Sequence, residues 1–291
     1  MAQVKPRPLI VCGMGRSGTR MCANILTNSA LVELQGELGG PAGTRLLAWL
    51  ETARIQRGEG ASAATYEQAR QAFRIGASGK PAERSDAVWF GHKTPRHERH
   101  FRRYEIIFDD PDNRPTYVYC IRNPFDVWRS YQAMPWNKFS TVDEFLKAWL
   151  RSVSTYEMIA AQAPGRIFVF NLDEMVRASE WTDYLQPALF DPLSLSEDSF
   201  QKPVQTIRNS NSSLNKTGAK PEPISEADRH TIADNLDVRR IATEHFPWLD
   251  LAPPPPGLTY RPPAGLGRMA RLRRVAARAW RQARREWKRP Q

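Results

Sequence analysis

Residues 8–20 read Pro8-Leu9-Ile10-Val11-Cys12-Gly13-Met14-Gly15-Arg16-Ser17-Gly18-Thr19-Arg20, and the fold prediction starts from the order of residue types in this segment. The apolar first part predicts a buried β-strand, the glycine- and serine-rich middle predicts a tight turn, and an amphipathic helix follows directly. A helix that starts there leaves backbone N–H groups unpaired, and its dipole adds positive potential. Arg16 and Arg20 add formal charge at the same place. The stretch therefore predicts a binding site for a phosphate or sulfate group.

The spacing of Gly13 and Gly18 matches the opening of a nucleotide-triphosphatase P-loop, G-x4-G-K-[ST]. In a P-loop the lysine reaches the β- and γ-phosphates and the hydroxyl residue holds Mg²⁺, but Thr19 and Arg20 occupy those two positions here. Arg16 supplies a cation inside the turn instead. We expect this loop to hold a terminal phosphate or a phosphosulfate without a metal ion. A kinase or phosphotransferase that uses ATP and Mg²⁺ is the alternative.

A second motif lies in residues 117–131, where an aromatic and β-branched strand ends at Arg122. Pro124 then forces a turn, and we expect a helix to begin near Phe125. Ser130 lies eight residues after Arg122, on that helix. Because ligands bind at the carboxyl ends of the strands in an open parallel sheet, a guanidinium and a hydroxyl here predict a second phosphate site.

At these two motifs the chain resembles the sulfotransferases that use 3′-phosphoadenosine 5′-phosphosulfate (PAPS), in a bacterial type related to the Golgi and tyrosylprotein branches. Residues 16–19 are similar to the family's 5′-phosphosulfate loop, and Arg122 with Ser130 is similar to its 3′-phosphate motif. Residues 91–95, Gly-His-Lys-Thr-Pro, and residues 166–175 resemble two further segments of the family. These matches follow one another in the family's order over residues 8 to about 220.

The resemblance implies a donor, a product and a set of binding residues. The enzyme would transfer the sulfuryl group of PAPS to a hydroxyl and release 3′,5′-diphosphoadenosine (PAP). The implied donor-binding residues are Arg16, Ser17, Gly18, Thr19, Arg20, Arg122, Ser130 and Lys216. Lys216 belongs to the polar segment 207–218, which corresponds to the family's lid over the nucleotide. An exposed loop before a helix at Ser225 is the alternative for that segment.

The transfer also needs a base for the acceptor's proton and cations for the developing charge. Glu37 lies twenty-one residues after Arg16, where the tyrosylprotein branch carries its base, and we expect it to be the base here. A solvated loop carboxylate is the alternative for Glu37, and His92 is the second candidate base. Lys93 and Arg16 are expected to supply the cations.

The chain has 291 residues, of which 41% are hydrophobic, enough for a substantial core. We expect an α/β protein, with residues 5–252 forming a single domain in which helices flank a central parallel β-sheet in the P-loop, nucleotide-kinase-like arrangement. Helices are predicted at 46–55, 65–73 and 142–161. The three cysteines, Cys12, Cys22 and Cys120, fit neither a zinc site nor a disulfide framework. We interpret them as buried thiols, and we expect no metal site.

The positive charge is concentrated at the C-terminus. The whole chain carries +11, and residues 264–291 contribute nine Arg and one Lys against one Glu, a net +9. They follow a proline-rich linker, residues 253–263, and their periodicity predicts a basic amphipathic helix with two tryptophans on its apolar face. This pattern favours binding to an anionic membrane surface over a disordered tail, a helix packed on a partner, or a nucleic-acid contact.

These observations lead to one expected function and two alternatives. The expected enzyme sulfates a hydroxyl on a carbohydrate, a lipid-linked molecule or another membrane-associated acceptor. Because the first strand begins almost at the N-terminus, we expect no signal peptide and a place in the cytoplasm, at the inner face of the cell membrane if the tail binds lipid. The alternatives are the ATP-dependent kinase and a non-catalytic, membrane-associated protein with a nucleotide-binding fold.

Overall fold

The computed structural model describes residues 6–58, 62–77, 86–207, 222–249 and 251. In this part of the chain five strands form one sheet in the order β2-β3-β1-β4-β5. All four neighbouring pairs of strands are parallel. The strands are β1 Arg7–Gly13, β2 Val32–Gln35, β3 Trp89–Lys93, β4 Thr116–Ile121 and β5 Ile167–Asn171. The predicted α/β fold with a central parallel sheet is confirmed.

Helices connect the strands and cover both faces of the sheet. They are α1 Thr19–Leu26, α2 Gly40–Arg57, α3 Ser62–Gly76, α4 Phe101–Ile107, α5 Pro124–Gln132, α6 Val142–Gln162, α7 Leu172–Arg177, α8 Trp181–Leu185, α9 Asp191–Leu193, α10 Glu226–Asp234 and α11 Leu236–His245. Short 3₁₀ turns lie at His97–His100, Glu197–Ser199 and Val204–Thr206, and a π-helical turn lies at Gln186–Phe190. Within the described residues, every helix is too short or too polar to span a lipid bilayer.

The central strand β1 shows why both faces are covered. Leu9 and Val11 pack into the core beside α1 and α7 to α9, whereas Ile10 packs against α2 to α4 and Cys12 against α5 and α6. Successive side chains of a strand point to opposite faces, so a continuously apolar strand must be buried on both sides. This places β1 in the middle of the sheet, and its carboxyl end at the middle of the ligand-binding edge.

The hydrophobic periodicity of the sequence correctly predicted the positions of the three longer helices. The segments predicted as helical at 46–55 and 65–73 lie within α2 and α3, and the one predicted at 142–161 matches α6. Cys12, Cys22 and Cys120 are free and buried, as expected. The linker 253–263 and the basic tail 264–291 lie outside the described residues, so the domain boundaries and the tail helix stay predictions.

Candidate active site

The turn between β1 and α1 is fixed by the segment that follows β3. The Arg96 backbone N–H donates to the Gly13 carbonyl at 2.7 Å, and the Gly13 N–H donates to the buried Glu98 carboxylate at 3.0 Å. Gly13 has a φ of +119°, and a Cβ there would lie 2.2 Å from the Cys120 carbonyl oxygen of β4. Only glycine fits this close approach. The loop between β1 and α1 therefore leaves the sheet in one direction, which is set by β4 and by the segment after β3.

Arg16 lies at the tip of this loop in the left-handed region, with φ 69°. A non-glycine residue with such a φ is uncommon and is held by its surroundings. Here the Arg16 Nε donates to Ser130 Oγ on α5 at 2.8 Å. This hydrogen bond joins the two sequence motifs, which lie 114 residues apart in the chain.

The start of α1 offers unpaired donors. Gly18, with φ 88°, caps the helix without a side-chain hydrogen bond, and the first turn contains no acidic residue. Ser17 is 1% exposed, and its Oγ has no hydrogen-bond partner in the described structure. Buried polar atoms are normally paired, so this group of donors fits an anionic ligand. The positive end of the helix dipole points to the same place.

Arg122 follows β4 and lies between two carboxylates. Its Nη2 is 3.4 Å from Asp126 and its Nε is 3.5 Å from Asp173. Asn123 caps α5 by accepting from the Asp126 N–H, and both its backbone and its side-chain N–H groups donate to Asp173. These contacts orient the Arg122 guanidinium at the carboxyl end of β4.

The two predicted anion sites adjoin each other. Burial lowers the pKa of Arg16, the Tyr131 side chain opposes that effect, and the nearby positive charge of Arg122 lowers the pKa further. Two guanidinium groups that repel each other in this way favour a ligand with negative charge at both positions. Ser130 contacts one of them directly.

Two cavities open beside these residues. One of about 580 Å³ is lined by Gly15, Arg16, Thr19, Arg20, Glu37, Gly39, Gly40, Thr94, Pro95, Arg96, His97, Arg99, Tyr131, Trp136 and Lys138. The other, of about 650 Å³, is lined by residues that include Arg122, Phe125, Arg129, Asp173 and Trp248. We call them the loop cavity and the Arg122 cavity.

Lys93 and Glu37 form an ion pair at the edge of the loop cavity. The Lys93 Nζ donates to Glu37 Oε1. The lysine side chain is 2% exposed and the glutamate side chain 42% exposed, so the carboxylate is the partner that a ligand can reach. Burial lowers the pKa of Lys93, the Glu37 charge opposes this, and Arg20 adds to the lowering.

A buried ring of hydrogen bonds holds the backbone next to Glu37. The Leu38 N–H donates to Thr94 Oγ1, which hydrogen-bonds His92 Nδ1, both at 2.9 Å. His92 Nε2 and His97 Nδ1 both contact the Tyr104 hydroxyl, at 2.9 and 2.7 Å. The His97 ring also hydrogen-bonds the Leu38 backbone, which closes the ring. The chain therefore passes position 38 in one orientation, and Glu37 points into the loop cavity.

This ring explains the place of His92, the second candidate base. Its side chain is fully buried and both of its ring nitrogens contact protein groups. Burial, with the charges of Lys93 and His100, lowers the pKa of His92 to about 3. The imidazole therefore stays neutral in the core, and of these two residues Glu37 is the one that lines the loop cavity.

Most sequence-predicted residues meet at the carboxyl edge of the sheet. Around the loop cavity and its rim the structure brings together Arg16, Ser17, Gly18, Thr19, Arg20, Glu37 and Lys93. Ser130 and Arg122 adjoin Arg16. Lys216 lies outside the described residues. The sequence reasoning missed Asp173, which orients Arg122, and the contribution of Tyr104 and His97 to the ring.

Comparison with known proteins identifies the family. The model of the sulfotransferase family matches residues 8–182, more than half of the chain. The chain belongs to the sulfotransferase family. The predicted relationship to the Golgi and tyrosylprotein branches stays a prediction. A search of curated proteins returns no match to this sulfotransferase.

Three solved structures illustrate what the chain is similar to. The sulfotransferase domain from the curacin biosynthetic pathway has a TM-score of 0.49 and 15% identity, covering 85% of this chain and 99% of that chain. Sulfotransferase STF9 from Mycobacterium avium has a TM-score of 0.43 and 13% identity, covering 85% and 78%. Mouse sulfotransferase SULT7A1 complexed with PAP has a TM-score of 0.42 and 13% identity, covering 83% and 90%.

The histidines of the ring make stability depend on pH. In the unfolded chain each imidazole takes up a proton as the pH falls through about 6.5. In the folded protein burial lowers the pKa of His97 to about 2, so it stays neutral. The unfolded state then binds more protons, and His97 alone should cost about 2 kcal/mol of folding free energy between pH 7 and pH 5.

Urea unfolding of wild type and His97→Gln at the two pH values isolates this effect. We expect the variant to be less stable than wild type at pH 7 and the difference to shrink by about 2 kcal/mol at pH 5, because glutamine takes up no proton. The same stability difference at both pH values would show that His97 does not fold neutral.

Proposed function

We propose that this sulfotransferase takes its sulfuryl group from PAPS and transfers it to an acceptor hydroxyl, releasing PAP. The observation that carries the proposal is the hydrogen bond from Arg16 to Ser130, with Arg122 close by. It puts a phosphosulfate-type loop and a second cationic site side by side. PAPS carries anionic groups at both its 5′ and 3′ positions, which matches this pair of sites.

The residues present fit such a donor. The first-turn N–H groups of α1, the unpartnered Ser17 hydroxyl and Arg16 would hold the phosphosulfate. Arg122 and Ser130 would hold the 3′-phosphate, and the Arg122 cavity, with Phe125 and Trp248 in its lining, would take the nucleoside. Arg129 lines the same cavity, where its Nη2 lies 2.7 Å from Asp126 Oδ1.

Glu37 would act as the general base, and Lys93 would stabilise negative charge on the leaving group. The acceptor oxygen attacks the sulfur while the bond from sulfur to the donor's 5′-phosphate oxygen breaks, and that oxygen keeps the electron pair. Glu37, half-exposed in the loop cavity, would receive the acceptor's proton. Neutralising Glu37 frees the buried Lys93 ammonium, which with Arg16 would stabilise the charge on the departing oxygen. The ion pair thus couples proton transfer to charge stabilisation.

Calorimetric titration tests the donor. We expect PAP to bind wild type without Mg²⁺ and more tightly than ADP or ATP does. Arg122→Ala should weaken PAP binding about 10- to 100-fold, because it removes charge-assisted hydrogen bonds. Arg102→Ala, at an exposed arginine of α4 outside both cavities, is the matched control and should bind like wild type. Preference for ATP with Mg²⁺ would make the chain a kinase-like enzyme and overturn the proposal.

A Glu37→Gln variant tests the base. We expect the release of PAP from PAPS in the presence of hydroxyl acceptors to fall about 100-fold or more, with PAP affinity retained. Glu67→Gln, at an exposed glutamate of α3 away from Lys93, is the control for the lost charge. Turnover of Glu37→Gln at the wild-type rate, or a pH–rate profile identical to wild type, would refute the role of Glu37.

We further propose that residues 264–291 bind an anionic membrane surface, so that the enzyme works in the cytoplasm on a carbohydrate or lipid-linked acceptor. The net charge of +9 in this segment supports the proposal, since each basic residue near such a surface contributes about 1 kcal/mol. Truncation after Ala252 should abolish co-sedimentation with vesicles of anionic phospholipid and leave PAP binding unchanged. Undiminished sedimentation would contradict the membrane role.

A further inference from the structure

The loop cavity contains more positive charge than the proposed donor and the ion pair account for. Among its lining residues Glu37 is the one carboxylate in the described structure, and Lys93 already neutralises it. Arg16 and Arg20 lie next to the start of α1, where the phosphosulfate would bind. Arg96, Arg99 and Lys138 remain, on the segments that follow β3 and α5.

These three residues form a cluster of like charges. The three side chains line the same cavity. Burial lowers the pKa of Lys138, and the charges of Arg96 and Arg99 lower it further, so Lys138 is repelled by both arginines. The Arg99 Nε donates to His100 Nε2 at 3.2 Å, and the charge of Arg96 acts on the buried Glu98. In the described residues the cavity lining itself contains no carboxylate besides Glu37. Such repulsion is relieved when an anion binds among the cations.

The fold fixes the backbone of one member of the cluster, Arg96. It adopts a left-handed φ of 62°, and its N–H donates to the Gly13 carbonyl at 2.7 Å. A strained non-glycine conformation persists where the surrounding structure holds it, and such residues cluster at functional sites. The same contact joins Arg96 to the end of β1, so the Arg96 backbone has a fixed position relative to the phosphosulfate loop.

We propose that Arg96, Arg99 and Lys138 form an acceptor subsite for an anionic group, so that the acceptor carries a carboxylate, phosphate or sulfate near the hydroxyl that is sulfated. This inference rests on the proposed function, because it assigns the loop cavity to the acceptor. Trp136 also lines the cavity and is 53% exposed, which provides an apolar surface for a sugar or aromatic ring beside the cations.

A matched pair of probes tests the charge alone. 4-Nitrophenyl β-D-glucuronide carries a carboxylate where 4-nitrophenyl β-D-glucoside carries a hydroxymethyl group. Each is titrated calorimetrically at low ionic strength into the full chain saturated with PAP, since salt screens exposed charges. The variants are Arg99→Ser/Lys138→Ser and, as control, Arg102→Ser/Lys147→Ser, which removes the same charge from exposed positions outside both cavities.

We expect wild type and the control variant to bind the glucuronide at least tenfold more tightly than the glucoside. The Arg99→Ser/Lys138→Ser variant should lose that preference and keep its PAP affinity. Equal binding of the two probes, equal effects of the two double variants, or no glucuronide binding would each overturn the subsite. Failure of PAP to bind wild type would refute the proposed donor instead. In that case the glucuronide is titrated into the protein without PAP, and binding that depends on Arg99 and Lys138 would still support the subsite.

Discussion

The close approach of Gly13 to β4 is the constraint on which the site depends. The Cys120 carbonyl occupies the space of a Cβ at this position, and both backbone groups of Gly13 are held by the segment after β3. The loop can leave the sheet in one direction only, which places Arg16 within hydrogen-bond distance of Ser130. The carboxyl ends of β1, β3 and β4 thus lie side by side at one edge of the sheet. Arg16 follows β1, Lys93 ends β3 and Arg122 follows β4.

Polar groups buried behind the loop cavity are neutral or paired, whereas the lining of the loop cavity contains more cations than carboxylates. Burial raises the pKa of Glu98 and keeps the ring histidines neutral, and their hydrogen bonds fix backbone positions 13 and 38. Glu33, which the chain places near Glu37, is buried and paired with Arg70 and Arg74. In front of this framework, charges that neither the fold nor the Lys93–Glu37 pair neutralises face the cavity, as expected of a site for anionic ligands.

The sequence predicted those parts of the site that lie within one strand, turn and helix. The loop at Arg16, the motif from Arg122 to Ser130 and the end of β3 at Lys93 are local patterns, and their meeting follows from parallel strands sharing one carboxyl edge. The ring of Thr94, Tyr104 and the histidines was not predicted, because its hydrogen bonds depend on burial and the contact that ties it to Leu38 spans 56 residues. Asp173 was missed for the same reason: its partners lie about fifty residues away.

A crystal structure of the full chain with PAP would show directly whether the two anion sites hold one nucleotide. We expect the 5′-phosphate on the backbone N–H groups at the start of α1, beside Ser17 and Arg16, and the 3′-phosphate on Arg122 and Ser130. The side of the loop cavity bounded by Glu37 and Lys93 should stay open to an acceptor. A nucleotide bound in the reverse orientation, or bound away from the β1–α1 loop, would refute this assignment of the two phosphate sites.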